Sequence, residues 1–179
     1  MRLSGILLAA GAGSRYGAPK ALVPGWLEHG VAVLTTAGCD PVVVVLGAQA
    51  DAARRLLPAD PRVRVVVAPD WAAGISASLR AGLTAATGDA ALVTLVDLPD
   101  MPATVARRLA HGADVASLRQ AAYRGSPGHP VLLGAQHWKP LVSNVDGDRG
   151  ARPYLVRHGA DEVECGDLWH GRDVDRPGI

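Results

Sequence analysis

Residues 7–20 read LLAAGAGSRYGAPK. A short apolar run, 5–10, ends at once in a loop carrying Gly11, Gly13 and Gly17, with Arg15 and Lys20 in and just after it. Such a run predicts a buried first strand that stops, followed by a turn tight enough to need glycine. Successive backbone N–H groups in a turn of this kind point into one concavity and bind an anion. A guanidinium and an ammonium on the same loop add positive charge where phosphate would sit.

Three phosphate-binding patterns compete for this stretch. The P-loop requires G-x-x-x-x-G-K-[ST], but Ala18 follows Gly17 and no Ser or Thr follows Lys20. The dinucleotide fingerprint requires G-x-G-x-x-G opening a helix. Here the spacing is G-x-G-x-x-x-G, and Pro19 stands where that helix would run. The third pattern is a resemblance: LAAGAGSRYGAPKAL is similar to the signature of the MobA-like nucleotidyltransferases, LAAG-x-[GS]-x-R-x-G-x-P-K-x-L. The LAAG and PK forms resemble the molybdenum cofactor cytidylyltransferase branch more than the guanylyltransferase branch.

The rest of the chain is read around that loop. Its 179 residues are close to one domain, 49% are apolar, and the net charge is +1. A chain of this length buries roughly 70% of its unfolded surface without a staple. The charge gives no reason to expect nucleic acid or an anionic membrane as partner, and no stretch approaches the roughly 20 apolar residues of a membrane span. Cys39 and Cys165 form no C-x-x-C motif, and the six histidines show no zinc-binding spacing. Two separated thiols without a signal peptide lead us to expect a reduced, cytoplasmic protein.

Strand-length apolar runs at 5–10, 41–46, 63–67 and 90–96 alternate with helical patterns at 26–36, 48–57, 76–86 and 102–110. This order predicts an α/β fold: a single doubly wound, mostly parallel sheet with helices on both faces and right-handed crossovers. The strands at 41–46 and 63–67 are expected to be buried on both faces. The last third changes pattern. Short strands at 114–119 and 131–133 are expected around a turn-rich 125–130, as a short antiparallel addition. Helices at 135–142 and 148–158 and an edge strand at 162–165 would follow. Residues 1–112 then form a nucleotide-binding half and 113–179 an acceptor-side half of one domain.

In open α/β sheets ligands bind beyond the carboxyl ends of the strands. The first strand delivers the glycine loop there, and the strand at 90–96 delivers Asp97 in LVDLPDMP. A carboxylate beside a bound triphosphate suits Mg²⁺, which takes one or two carboxylates plus phosphate oxygens and water. The resemblance implies more. Asp97-Leu98-Pro99 matches the family's metal-binding D-x-P. Residues 71–83, WAAGISASLRAGL, resemble its W-x-x-G-x-[SA]-x-S-L-x-x-G-L, which implies nucleotide contacts at Gly74 and Ser78 beside those at Ala9, Ala10, Gly11 and Gly13. Residues 128–130 match G-H-P and 147–152 match G-D-[RK]-G-A-R, which implies acceptor contacts at His129 and Arg149, with Arg152 nearby. Residues 173–177, DVDRP, resemble D-[IV]-D-T-P, whose second aspartate, Asp175, is the candidate for a second metal contact. Two departures stand out. The family usually carries a longer segment after Lys20, whereas Pro24-Gly25-Trp26 leads directly into the helix here, and it usually continues with acidic residues and a short helix where this sequence stops at Ile179, straight after Arg176-Pro177. Ala68 also stands where many members have asparagine.

The activity implied is Mg²⁺-dependent nucleotidyl transfer. CMP would pass from CTP to a phosphate-bearing acceptor, molybdopterin or its molybdenum form, with Arg15, Lys20 and Asp97 as catalytic groups. Transfer of GMP, or transfer to a sugar or alditol phosphate, are close alternatives, and a catalytically decayed nucleotide-binding protein is another. An unrelated dehydrogenase would bind NAD(P) without Mg²⁺, but Gly47 rather than an acidic residue ends the second strand.

Overall fold

The computed structural model describes residues 1–176, so the last three residues of the expected acceptor-side half, 177–179, lie outside it. One seven-stranded sheet runs through the molecule in the order β3-β2-β1-β4-β6-β5-β7. Its strands are β1 (Leu3–Ala9), β2 (Val42–Leu46), β3 (Val63–Val67), β4 (Ala90–Leu95), β5 (Leu118–Tyr123), β6 (Ser126–Gly134) and β7 (Asp161–Glu164). Among the described residues β6 alone runs against the direction of the other six strands. The expected mostly parallel, doubly wound sheet with a short antiparallel addition is therefore present.

The continuous apolar strands serve two faces at once, because successive side chains point to opposite sides. Leu7, Val42 and Val44 pack with Leu27, Val31 and Leu34 of helix α1 (Trp26–Thr36) and with Val105 and Leu109 of α4 (Ala103–Ala110). Ile6, Leu8, Val43 and Val45 face the other way, onto Leu79 and Leu83 of α3 (Ile75–Ala85), Leu141 of α5 (Ala135–Asn144) and Leu155 of α6 (Arg152–Arg157). Helix α2 (Ala50–Arg54) is shorter than the expected 48–57 and places Ala53 in the first of these layers.

Other expectations also need correction. β3 is an edge strand rather than a fully buried one, and Val67 is 45% exposed. The strand expected from 114 begins at Leu118, because Asp114 Oδ1 accepts from the Ala116 N–H at 3.0 Å and from the Ser117 hydroxyl at 2.8 Å, which turns the chain there. The segment read as a turn, 125–130, is strand: the hairpin turn is only Arg124 and Gly125, both at positive φ. Pro127 and Pro130 fit in β6 because β4 pairs with it only from Val131 onward, so no β4 ladder bond is lost at either. The single helix expected over 148–158 is a 3-10 turn, Gly147–Arg149, followed by α6. Pro153 is tolerated only in a first helical turn, so the helix has to start beside it. The edge strand expected at 162–165 is β7, one residue earlier, parallel to β5. No helix of the described residues is long and apolar enough to cross a membrane.

Candidate active site

β1 ends at Ala9, with Ala10 buried beneath the loop that follows. In that loop the N–H groups of Tyr16 and Gly17 donate to the Gly13 carbonyl at 2.9 and 2.8 Å, so the chain curls back on itself. Gly13 has φ +64°, and a Cβ there would run into the Ala18 carbonyl. Tyr16 packs against Trp26 at the start of α1, with ring centroids 5.6 Å apart, so the short segment after Lys20 still ties the loop to the body.

Lys20 opens a 3-10 turn directly after the loop. Its Nζ lies 2.8 Å from Asp97 Oδ2 and 3.4 Å from Asp175 Oδ1. Arg15 Nη1 lies 3.2 Å from Asp175 Oδ2. Four sequence-predicted residues from three distant parts of the chain therefore meet. Burial pulls the Lys20 pKa down, but the hydrogen bonds and charges of Asp97 and Asp175 outweigh it and hold it above the ordinary lysine value. Asp97 stands just beyond β4, which is registered against β1 by Val96 N–H donating to Leu8 O at 3.1 Å. Its second oxygen, Oδ1, is buried and has no hydrogen-bond partner among the described residues. A buried carboxylate oxygen without a donor is costly, and a cation beside it would remove that cost. Among the described residues no group of three or more His, Cys, Asp and Glu side chains is gathered for a metal. A Mg²⁺ ion needs fewer, since phosphate and water complete its shell. The donor set fits such an ion.

Gly11, Gly13 and Lys20 line a cavity of about 380 Å³ together with Gly74, Ser78 and Asp97. Gly74 adopts φ +114° immediately before α3, and the Gly147–Arg149 turn packs so closely on it that a Cβ would strike Gly147 and Asp148. Ile75 and Ser78, in the first turn of α3, line the same space. His129 and Arg149 are not in this cavity. They line a neighbouring one of about 270 Å³, together with Arg152, Gln120 and the aliphatic side chains of Leu79, Val93, Val131, Leu133 and Leu155. Burial holds the His129 pKa below the ordinary histidine value, against the pull of Asp97 and Asp173. Leu8, Ile75 and Asp148 border both cavities, so the two are contiguous. The motif at 147–152 does not by itself mark Asp148; only the fold of the turn onto Gly74 places this residue at the junction.

A strand-ended glycine loop, a lysine between two carboxylates, and two joined cavities over the carboxyl ends of a doubly wound sheet define a nucleotide-transfer site in class. The MobA-like NTP transferase domain matches residues 5–163, and the chain belongs to that family of nucleotidyltransferases. Among curated proteins it is 38% identical to the nicotine blue oxidoreductase of Paenarthrobacter nicotinovorans over 188 aligned positions, spanning 97% of this chain and 92% of that one. Among solved structures it is similar to a nucleotidyl transferase from Methanothermobacter thermautotroptrophicus, with a TM-score of 0.83 and 27% identity over 98% of this chain and 92% of that one. It is also similar to Rv0371c of Mycobacterium tuberculosis in complex with manganese, with a TM-score of 0.73 and 25% identity over 92% and 88% of the two chains.

Proposed function

We propose that this protein transfers CMP from CTP onto the phosphate of molybdopterin or its molybdenum-bearing form, releasing pyrophosphate. The observation that carries the reading is the meeting of Lys20, Asp97, Asp175 and Arg15 at the mouth of the glycine loop. A phosphate oxygen of the acceptor attacks the α-phosphorus, the new O–P bond forms, and the bond to the β-phosphate oxygen breaks. The attacking phosphate is largely ionised at neutral pH, since a monoester's second pKa is about 6, and it needs no strong base. Arg15 binds the departing phosphates and Lys20 offsets charge growing on the α-phosphoryl group. Asp97 and Asp175 would hold Mg²⁺, which neutralises phosphoryl charge when bound. The glycine loop with Gly74 and Ser78 seats the nucleotide, and His129 and Arg149 border the acceptor. The aliphatic part of the second cavity's lining supports a ring-bearing acceptor, with Gln120, His129, Arg149 and Arg152 at hand for its polar groups. Two free, buried cysteines support a reducing compartment, the cytoplasm.

A second reading, reduction of a pigment of the nicotine blue kind, is favoured by the 38% identical oxidoreductase. The same apolar cavity would accept a flat aromatic ring. Calorimetric titration with CTP, GTP, ATP, UTP, NADH and NADPH, each with and without Mg²⁺, separates the two. The transferase reading expects Mg²⁺-dependent binding of CTP that Asp97→Ala abolishes, followed by pyrophosphate release when molybdopterin is added. Tight NADH or NADPH binding indifferent to Mg²⁺, with no triphosphate bound, would replace it with the reductase reading.

A further inference from the structure

The segment 165–175 runs as a strap from the far edge of the sheet back to the glycine loop, and it is fastened along its length. The Cys165 N–H donates to Ala122 O at 2.7 Å. Arg108 Nη2 holds Asp167 Oδ2 at 2.9 Å. Trp169, only 9% exposed, sits edge-on to Tyr123 with ring centroids 5.5 Å apart. His170 receives the Arg172 N–H on Nδ1 at 2.9 Å, which leaves the proton on Nε2 to reach Asp100 Oδ2, also at 2.9 Å. The Val174 N–H donates to the Asp97 backbone carbonyl at 3.0 Å. The next residue, Asp175, is then set down on Arg15 and Lys20.

Those two cations are the ones a triphosphate needs. With Asp175 on both and Asp97 on Lys20, two positive charges already face two negative ones, and a free polyphosphate meets no net attraction. The contacts differ in strength. Lys20 and Asp97 have side chains 13% and 17% exposed, whereas Arg15 is 80% exposed and Asp175 49%. Solvent screening makes the outer contact the weaker one, so the site opens at Asp175 while Asp97 stays on Lys20.

We infer that the strap is an autoinhibitory latch: in the nucleotide-free protein Asp175 caps the phosphate-binding cations, and a polyphosphate must displace it to enter. This rests on the nucleotidyl-transfer reading. Displacement also frees the Asp175 carboxylate, so opening the latch and readying the metal contact become one event.

The test is pyrophosphate binding in EDTA at low ionic strength, followed by calorimetry for the wild type, Asp175→Asn, Arg15→Gln and the double variant. A latch predicts that Asp175→Asn binds metal-free pyrophosphate about five- to tenfold more tightly than the wild type. It also predicts that the gain largely disappears in the Arg15→Gln background and under 0.5 M salt. A carboxylate that repels the anion only through its charge, without capping Arg15, predicts a gain of the same size with and without Arg15. Equal or weaker binding by Asp175→Asn overturns the latch, and so does a gain of the same size without Arg15. Asp175→Ser repeats the comparison should the asparagine variant fold poorly. The wild type is titrated with CTP and Mg²⁺ in parallel. If that complex binds and the pyrophosphate gain is missing, the latch alone falls; if neither protein binds any phosphate compound, the transferase reading falls and takes the latch with it.

Discussion

Asp97 spends one carboxylate oxygen on Lys20 and keeps the other buried and unpaired. That asymmetry is poor for stability and useful for holding a cation. Asp97→Asn removes the charge but keeps the shape. The expected outcome is a loss of turnover of at least about 100-fold, the scale of removing one electrostatic contact from a phosphoryl-transfer site. The same change leaves Lys20 with Asp175 alone, and urea denaturation is expected to register about 1–2 kcal/mol of lost stability. Unchanged turnover would remove Asp97 from the chemistry. Gly13 tests the loop itself. Alanine there must hold φ near +64° and push against the Ala18 carbonyl, a strain of about 1–3 kcal/mol. Nucleotide affinity is expected to fall about tenfold or more by calorimetry, and the melting temperature to drop by about 2–4 °C for each kcal/mol of that strain. At this scale the sequence was informative wherever a backbone constraint leaves one residue type. It was silent on Asp148, whose position depends on how a distant turn lands on Gly74.

At the scale of elements, β1, β2 and β4 were legible because a strand buried on both faces is a continuous apolar run. The first half of β6 was not, because its prolines and glycine carry turn chemistry while its position, overshooting the end of β4, removes the partner those residues would have offended. That overshoot is what places Gly128 and His129 in the second cavity. Helix α3 shows the converse, a residue poor for the helix but needed for packing. Gly82 lies against β1, and a Cβ there would stand 2.7 Å from Ile6 Cγ2 and 3.1 Å from Val45 Cγ2. Alanine would favour an isolated helix by about 1 kcal/mol. Against a close-packed sheet the overlap outweighs this, and Gly82→Ala is expected to destabilise by a net 1–2 kcal/mol. Because the start of α3 borders the cavity beside the glycine loop, the variant is also expected to lower nucleoside triphosphate affinity. A urea midpoint equal to or above the wild type would show that α3 can lift off the sheet without cost.

Across the whole molecule the buried titratable groups set the pH range in which the fold holds. On the acid side, His129 has a pKa below the ordinary value of 6.5. The unfolded chain therefore binds a proton that the folded one refuses, and stability falls as pH drops below about 6.5. On the alkaline side, burial pushes the Cys39 thiol from 9.0 up to about 12, and Cys39 is 1% exposed between α1 and the sheet. Below pH 9 the thiol is protonated in both states and contributes no slope. Between 9 and 12 the unfolded chain releases a proton that the folded chain retains, so unfolding is favoured as pH rises, by up to about 1.4 kcal/mol per pH unit. The Tyr123 hydroxyl, also raised by burial, adds to the same trend at higher pH. Cys39→Ala is expected to be about 1 kcal/mol less stable than the wild type at pH 7, where only packing is lost. It has no thiol to ionise, so its stability should decline less steeply from pH 9, and the two curves are expected to cross before pH 11. Urea midpoints measured every half unit from pH 7 to 11 decide it. Parallel curves would mean that the Cys39 thiolate is tolerated inside the fold, and that the alkaline limit is set elsewhere in the chain.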